Sequence, residues 1–125
     1  MAREGGLIAW QWRGYSRNHR DRGNLLLHIV AVPAFIAGIL ATVSLAWQGA
    51  FAGAAVAFVF AVVAFAVQGV GHKREANAPE PFDGPGDFIG RVFTEQFITF
   101  PRFVLSGNWM RNVAGQAEQD DNRHG

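Results

Sequence analysis

The feature that most constrains this chain is a window of fifty residues, between Arg22 and Lys73, that contains no Asp, Glu, Lys or Arg. The charged residues, 11 Lys and Arg against 10 Asp and Glu, all lie outside it. A soluble domain of 125 residues presents charged groups to water along most of its length. The window therefore indicates a protein of the lipid bilayer.

Two apolar runs fill this window. The first extends from Leu25 to Trp47 and the second from Gly49 to Gly71, each of 23 residues. A helix of this length reaches roughly 34 Å, and the hydrocarbon core of a bilayer is about 30 Å thick. Only a few residues around Gln48 are left to connect the runs. We therefore predict a tight antiparallel transmembrane hairpin.

The segments that flank the hairpin also have helical character. The segment from Leu7 to Arg20 mixes aromatic and basic residues, as interfacial helices do. The segment from Phe88 to Met110 carries apolar residues at helical spacing, and Pro101 kinks or divides it. The sequence leaves open whether this third segment lies in the interface, enters the lipid or caps the hairpin.

These observations predict an all-α fold, an integral membrane helical bundle built on the hairpin with flanking interfacial or membrane-embedded helices. Its single domain covers residues 1–114, with spanning helices at about 25–47 and 49–71 and a further helical segment at about 88–110. The polar tail, residues 115–125, is predicted to be disordered.

The distribution of charge predicts the orientation of the hairpin. Basic residues precede the first run and follow the second, whereas the connection has none. By the positive-inside rule both termini lie in the cytoplasm, and a bacterial-type inner membrane is the expected location. The net charge of +1 excludes wholesale electrostatic binding of nucleic acid, and the absence of cysteine excludes disulfide scaffolds and thiolate metal sites. Two spans bury little surface, so a homodimer is compatible with the sequence.

Polar residues gather where the two runs meet the cytoplasmic side. His28 lies one turn into the first run and His72 closes the second, so an antiparallel hairpin brings them to a similar depth. Alanines at helical spacing turn the His72 face of the second helix toward the first helix, because small residues mark close helix contacts in membranes: Ala50, Ala54, Ala57, Ala61 and Ala64. His19 precedes the first run, and Gly23 gives the chain a place to turn back toward the site.

This group suits a metal ion. Neutral imidazole is the commonest protein ligand for transition metals, and the second ring nitrogen needs a partner that fixes the tautomer. Asn24 and Gln68 share helix faces with His28 and His72 and are the candidate partners. Nitrogen ligands with one carboxylate suit iron, zinc or manganese. The candidate catalytic residues are His19, His28, His72 and Glu75, the first three as metal ligands; Glu75 has a competing role as a salt-bridge partner.

Two other interpretations stay open from the residues. In one, His28 and His72 are axial ligands of a b-type haem in an electron-transfer protein. The alanine stripe argues against this interpretation, because it brings the helices too close to admit a haem. In the other, the histidines are structural and the chain is a membrane scaffold or assembly protein.

The same residues resemble a known family, the iron-dependent 2-hydroxy fatty acid dioxygenases of fungal sphingolipid breakdown and their bacterial relatives. The first motif of that family corresponds to HRDRGNLLLHIVAVP, with His19, Asn24, His28 and Pro33 in register. The second corresponds to QGVGHKREANAP, with Gln68, Gly71, His72, Glu75 and Pro79. The resemblance covers roughly residues 15–79; the interval from His72 to Glu75 is one residue shorter than in the fungal pattern.

The resemblance implies oxidative removal of one carbon from a 2-hydroxy fatty acid or a related lipid, with O2 as co-substrate and Fe(II) as cofactor. The motif histidines would hold the iron, and these are His19, His28 and His72 in this sequence. It also implies a carboxylate-bearing substrate, for which Arg74 and Arg20 are the candidate partners.

Overall fold

The computed structural model describes residues 5–77 and 79–115, and all regular secondary structure in these ranges is helical. The elements are α1 (Gly6–Tyr15), α2 (Arg22–Trp47), α3 (Phe51–His72), α4 (Pro85–Thr94), a π-helical turn (Glu95–Thr99), α5 (Phe100–Leu105) and α6 (Asn108–Val113). The predicted all-α fold is confirmed. Most of the predicted disordered tail, residues 116–125, lies outside the described residues.

The predicted hairpin is formed by α2 and α3. Helix α2 begins at Arg22, before the apolar run, because the Asp21 side chain accepts a hydrogen bond from the backbone N–H of Asn24 at 2.9 Å and so caps the helix. Residues 48–50 connect the helices, and Gly49 has a φ of +78° that only glycine adopts without strain. The turn is thus as short as the sequence predicts.

Small side chains let the two helices approach closely. A Cβ atom on Gly38 would lie 2.9 Å from the Cβ of Ala61 and 3.2 Å from the carbonyl oxygen of Ala57. Further along the same face of α3, Gln68 and Gly71 are buried. The alanine stripe therefore directs Gln68 toward the protein interior, as expected from the sequence.

Both α2 and α3 are long and apolar enough to cross a bilayer. Only 22% of the most apolar window of each helix is buried within the chain, whereas a core helix of a soluble protein is mostly buried. The exposed surface carries large apolar side chains such as Val43, Phe58 and Val63. This surface suits acyl chains. The cellular membrane and the orientation of the termini stay predictions.

The remaining helices pack around the end of the hairpin that carries the histidines. One apolar cluster joins α1, α2 and α5 through Tyr15, Leu25, Val32, Phe100 and Phe103. A second joins α2, α3 and α4 through Phe35, Ala61, Ala64 and Val92. The third segment thus packs against both long helices, at the depth of Phe35.

A π-helical turn lies within this third segment. Pro101 has no backbone N–H to donate to the preceding turn, and the helix adopts π geometry over the five residues before Phe100. The predicted single segment at 88–110 is in fact three helices over residues 85–113, because Gly107, with a φ of +87°, ends the turn between α5 and α6.

Candidate metal centre

Three histidines from separate parts of the chain meet in the interior. His19 lies in the turn between α1 and α2, His28 in α2 and His72 at the end of α3. Their ring centroids are 4.7 to 5.2 Å apart, and each pair of rings is nearly perpendicular. The side chains of His19 and His28 are buried. The structure thus brings together the three histidines that the sequence singled out.

Backbone carbonyl groups fix the tautomers of two of these rings. Nδ1 of His19 lies 2.8 Å from the Tyr15 carbonyl oxygen, and Nδ1 of His28 lies 3.0 Å from the Asn24 carbonyl oxygen. Because a carbonyl oxygen only accepts, Nδ1 carries the hydrogen in each ring. The Nε2 atoms of both rings are buried without a hydrogen-bond partner, and so is Nδ1 of His72.

Glu95 adds a carboxylate to the three histidines. It is the first residue of the π-helical turn, and its Oε2 lies 3.4 Å from Nε2 of His19 and 4.0 Å from Nε2 of His28. One ligand atom from each of His19, His28, His72 and Glu95 lies within 4.8 Å of the others. Sequence analysis missed this carboxylate.

Tyr15 holds Glu95 in place. Its hydroxyl donates a hydrogen bond of 2.8 Å to Oε2 of Glu95, and its ring stacks on His19 with a centroid distance of 3.8 Å. Burial, and next the Glu95 carboxylate, raise the pKa of Tyr15 well above its ordinary value of 10.0. The hydroxyl therefore keeps its proton and acts as a donor.

The charge state of Glu95 follows from its neighbours. Burial opposes ionisation, but attraction to the imidazole of His19 and then to the other two histidines outweighs it and lowers the pKa of Glu95 to about 2. Glu95 is thus a carboxylate, and it faces the ring nitrogens of the three histidines. Three imidazoles and one carboxylate, with ligand atoms this close together, form a donor set that fits a divalent metal ion.

Glu75, the acid singled out by sequence analysis, lies elsewhere. Its carboxylate accepts hydrogen bonds from the backbone N–H groups of Arg20, at 2.8 Å, and Asp21, at 3.0 and 3.1 Å. It also accepts one of 2.6 Å from the Asn24 side chain. Glu75 therefore joins the end of α3 to the turn before α2, and the metal-binding group does not include it.

The two amides predicted to orient the histidines have other partners. The Asn24 side chain binds Glu75, and it is the Asn24 backbone carbonyl that accepts from His28. Gln68 exchanges two hydrogen bonds, of 2.8 and 2.7 Å, with Gln96. This buried pair fastens α3 to the π-helical turn that carries Glu95.

The two arginines predicted to meet a substrate carboxylate lie around the same turn. Arg74 binds Asp21 at 2.7 Å and is mostly exposed, and neither Arg74 nor Arg20 lines the cavity described next. Their role toward a substrate stays a prediction.

A cavity of about 680 Å³ opens beside the candidate metal centre. His19, His72 and Glu95 form part of its wall, whereas the buried His28 does not line it. Helices α1, α3 and α4 and the loop around Phe82 supply the rest of a mostly apolar lining. Its volume is within the range of small-molecule sites.

Helix α6 supports the turn that carries His19. The Asn112 side chain donates hydrogen bonds to the backbone carbonyl oxygens of His19, at 2.8 Å, and Ser16, at 3.0 Å. The Trp109 indole donates to the Leu25 carbonyl oxygen at 3.0 Å. The position of His19 thus depends on residues far away in sequence.

These features define a class: helical proteins in which a buried group of histidines and a carboxylate lies beside two helices of bilayer length. Within this class the chain has a family. The family model described as 2-hydroxy-palmitic acid dioxygenase Mpo1-like matches residues 8–100, most of the chain. The chain therefore belongs to the Mpo1-like family, as the two motifs indicated. No curated protein and no solved structure gives a significant match.

Proposed function

We propose that this protein is a membrane-bound Fe(II)-dependent dioxygenase that shortens 2-hydroxy fatty acids, or a related lipid, by one carbon. The observation that carries the proposal is that one ligand atom from each of the three histidines and from Glu95 lies within 4.8 Å of the others, with the buried Nε2 atoms of His19 and His28 lacking hydrogen-bond partners. The membership of the Mpo1-like family supports iron and a 2-hydroxy acid over other metals and substrates.

His19, His28, His72 and Glu95 would hold the ion. Bound Fe(II) supplies the redox chemistry that couples O2 to cleavage of the bond between C1 and C2 of the substrate. In the overall reaction a 2-hydroxy acid and O2 give CO2, water and the acid shorter by one carbon. The four electrons that O2 accepts come from the two carbons that are oxidised, so no external reductant is needed.

The other residues of the site prepare this donor set. The carbonyl oxygens of Tyr15 and Asn24 hold the hydrogen on Nδ1 of His19 and His28, which leaves both Nε2 atoms free to bind metal. The Tyr15 hydroxyl donates to Glu95 and orients its carboxylate. We assign Glu75 a positioning role, because its contacts hold the turn between His19 and α2.

The position of the site suits an amphiphilic substrate. The histidines lie at one end of two helices of bilayer length, where the carboxyl head of a fatty acid in a membrane also lies. The cavity connects this end to the apolar side chains of Phe65 and Val92. A head group can reach the metal centre while the acyl chain stays in an apolar environment.

The geometry does not favour a b-type haem. The rings of His28 and His72 are in edge-to-face contact, with centroids 4.9 Å apart, and the His19 ring packs against both. A porphyrin plane has no room between them. The scaffold interpretation leaves three buried ring nitrogens without partners, which is costly in a protein interior.

Metal content and turnover test the proposal together. The full chain is purified without oxygen in lipid nanodiscs, and iron, zinc and manganese are measured beside the His28→Ala and His72→Ala variants. The matched control is His124→Ala, since this is the chain's remaining histidine. We expect about one iron per chain in the wild type and in His124→Ala. The His28→Ala and His72→Ala variants should lose the iron.

The iron-loaded protein is then given 2-hydroxypalmitate and O2, and the C15 acid and CO2 are quantified. Equal amounts of the two products, absent in the His28→Ala variant, support the proposed function. Zinc or manganese in place of iron, or iron without product formation, would contradict it.

A further inference from the structure

Basic residues contribute to the lining of the cavity beside the candidate metal centre. The lining includes the basic residues Arg13, Arg17 and Lys73. Its acidic residues are Glu80 and Glu95. Arg17 is two residues before His19, and Lys73 directly follows His72. Basic residues therefore share this lining with two of the candidate metal ligands. Such a rim attracts an anionic group to the metal centre.

Arg91 lines the same cavity but is already bound. Its guanidinium donates to the carbonyl oxygens of Pro81, at 3.1 Å, and Glu80, at 2.9 Å, and lies 3.5 Å from Asp87. It also lies over the rings of Trp10 and Phe82, at 5.1 and 4.2 Å from their centroids. Arg91 thus builds the wall and fixes the loop that closes the cavity.

Apolar residues of the lining extend away from the metal centre along α3. Phe65 lies seven residues before His72 on α3, which is about 10 Å along the helix axis. Phe65 contacts Phe88, and Phe82 contacts Phe88 from the loop side, with centroid distances of 5.6 and 4.9 Å. Phe88 thus joins the two lining rings, Phe65 and Phe82, into one aromatic cluster.

We propose that Arg17 and Lys73 are the residues of this cavity that select the free carboxylate form of the substrate. Arg17 and Lys73 bind the carboxylate beside the metal centre, and the acyl chain lies along Phe65, Phe82 and Val92. This assignment rests on the proposed function and gives the carboxylate to the cavity rim instead of Arg74 and Arg20. An ester or amide of the same acid has no negative charge for the rim to bind.

Photocrosslinking locates the acyl chain. The probe is palmitate with a diazirine near the middle of its chain, and the protein is the full chain in phosphatidylcholine nanodiscs without metal. We expect labelled peptides from the regions of Phe65, Phe82 and Val92. A Phe65→Trp variant fills the cavity and lowers this labelling at least about fivefold, whereas Phe58→Trp, on the exposed face of α3, does not. Labelling confined to exposed hairpin residues, as a diazirine phospholipid gives, would overturn the assignment.

Competition tests the rim. Palmitate and methyl palmitate compete with the probe for the wild type, the Arg17→Gln/Lys73→Gln variant and the Arg74→Gln variant. We expect palmitate to compete about tenfold less well in the double variant, the order expected for two exposed charge pairs. Methyl palmitate should not distinguish the variants. A loss of palmitate binding in Arg74→Gln equal to that in the double variant would overturn the rim assignment.

These results are independent of turnover. Labelling in the cavity together with an iron-loaded protein that forms no C15 acid supports the binding site and contradicts the proposed reaction. Product formation with labelling only on the exposed hairpin supports the reaction and contradicts the binding site.

Discussion

At the scale of single residues, Tyr15 touches two of the four candidate ligands. Its hydroxyl donates to Glu95, its ring stacks on His19 and its carbonyl oxygen accepts from Nδ1 of His19. Replacement by phenylalanine removes the first contact and keeps the other two. Tyr15→Phe should therefore weaken metal binding by about tenfold while the chain stays folded, since such supporting hydrogen bonds tune ligand orientation.

A competition titration with a metal-binding dye measures this change, and the absorption spectrum of the Co(II)-substituted protein reports the altered ligand set. Unchanged affinity with an unchanged Co(II) spectrum would mean that the Tyr15 hydroxyl does not orient Glu95. Loss of the folded state would instead show that the hydroxyl contributes mainly to stability.

The two acidic residues near the histidines should respond differently to the same substitution. Glu95→Gln removes the one carboxylate of the donor set, so metal content should fall, whereas Glu75→Gln should leave metal content largely unchanged. Glu75→Gln leaves one oxygen to accept from two backbone amides and Asn24, so the free energy of unfolding should fall by about 1–3 kcal/mol. Metal content and thermal unfolding of both variants separate the two roles; the reverse pattern would exchange the assignments.

The sequence predicts three of the four candidate ligands because they lie on or beside the hairpin, whose geometry follows from helix periodicity. Glu95 could not be predicted in the same way. Glu95 lies four residues after Arg91, a spacing that favours an ion pair on the surface of a helix. In the structure Arg91 instead donates hydrogen bonds to the backbone of Glu80 and Pro81. The spacing of Gln96 places it within an apolar helix face. Its hydrogen-bond partner, the buried Gln68, lies 28 residues away in sequence, so the pairing could not be predicted.

At the scale of elements, the hairpin depends on a close crossing at Gly38. A Cβ atom there meets the Cβ of Ala61 at 2.9 Å and backbone at 3.2 Å, so the helices must move apart to accept it. Gly38→Ala should cost about 1–3 kcal/mol of unfolding free energy. Gly53→Ala is the matched control, because its Cβ meets only the flexible Leu45 side chain, at 3.4 Å. Equal thermal stability of the two variants in nanodiscs would contradict this account of the crossing.

The hairpin and the third segment differ in how far sequence determines them. Helices α2 and α3 follow from apolar length and from the absence of charge, which act within each segment. The third segment changes to π geometry just before Pro101 and is interrupted at Gly107, and its place against Phe35 depends on packing with helices distant in sequence. Periodicity indicates that the segment is helical but not which neighbouring helices its apolar face contacts. The π-helical turn that begins at Glu95 also shifts the residues after it around the helix axis.

At the scale of the whole molecule, the candidate metal centre draws its ligands from the α1–α2 turn, α2, α3 and the π-helical turn, and α6 supports the His19 turn. An unfolded chain cannot present these groups together, so metal binding should stabilise the entire fold. Fe(II) at a hundred times its Kd should add about 2.7 kcal/mol to the free energy of unfolding. Anaerobic thermal unfolding in nanodiscs, with and without Fe(II), measures the difference. The His28→Ala variant should show no such gain and His124→Ala the full gain; a gain in His28→Ala equal to that of the wild type would place the stabilising iron elsewhere on the chain.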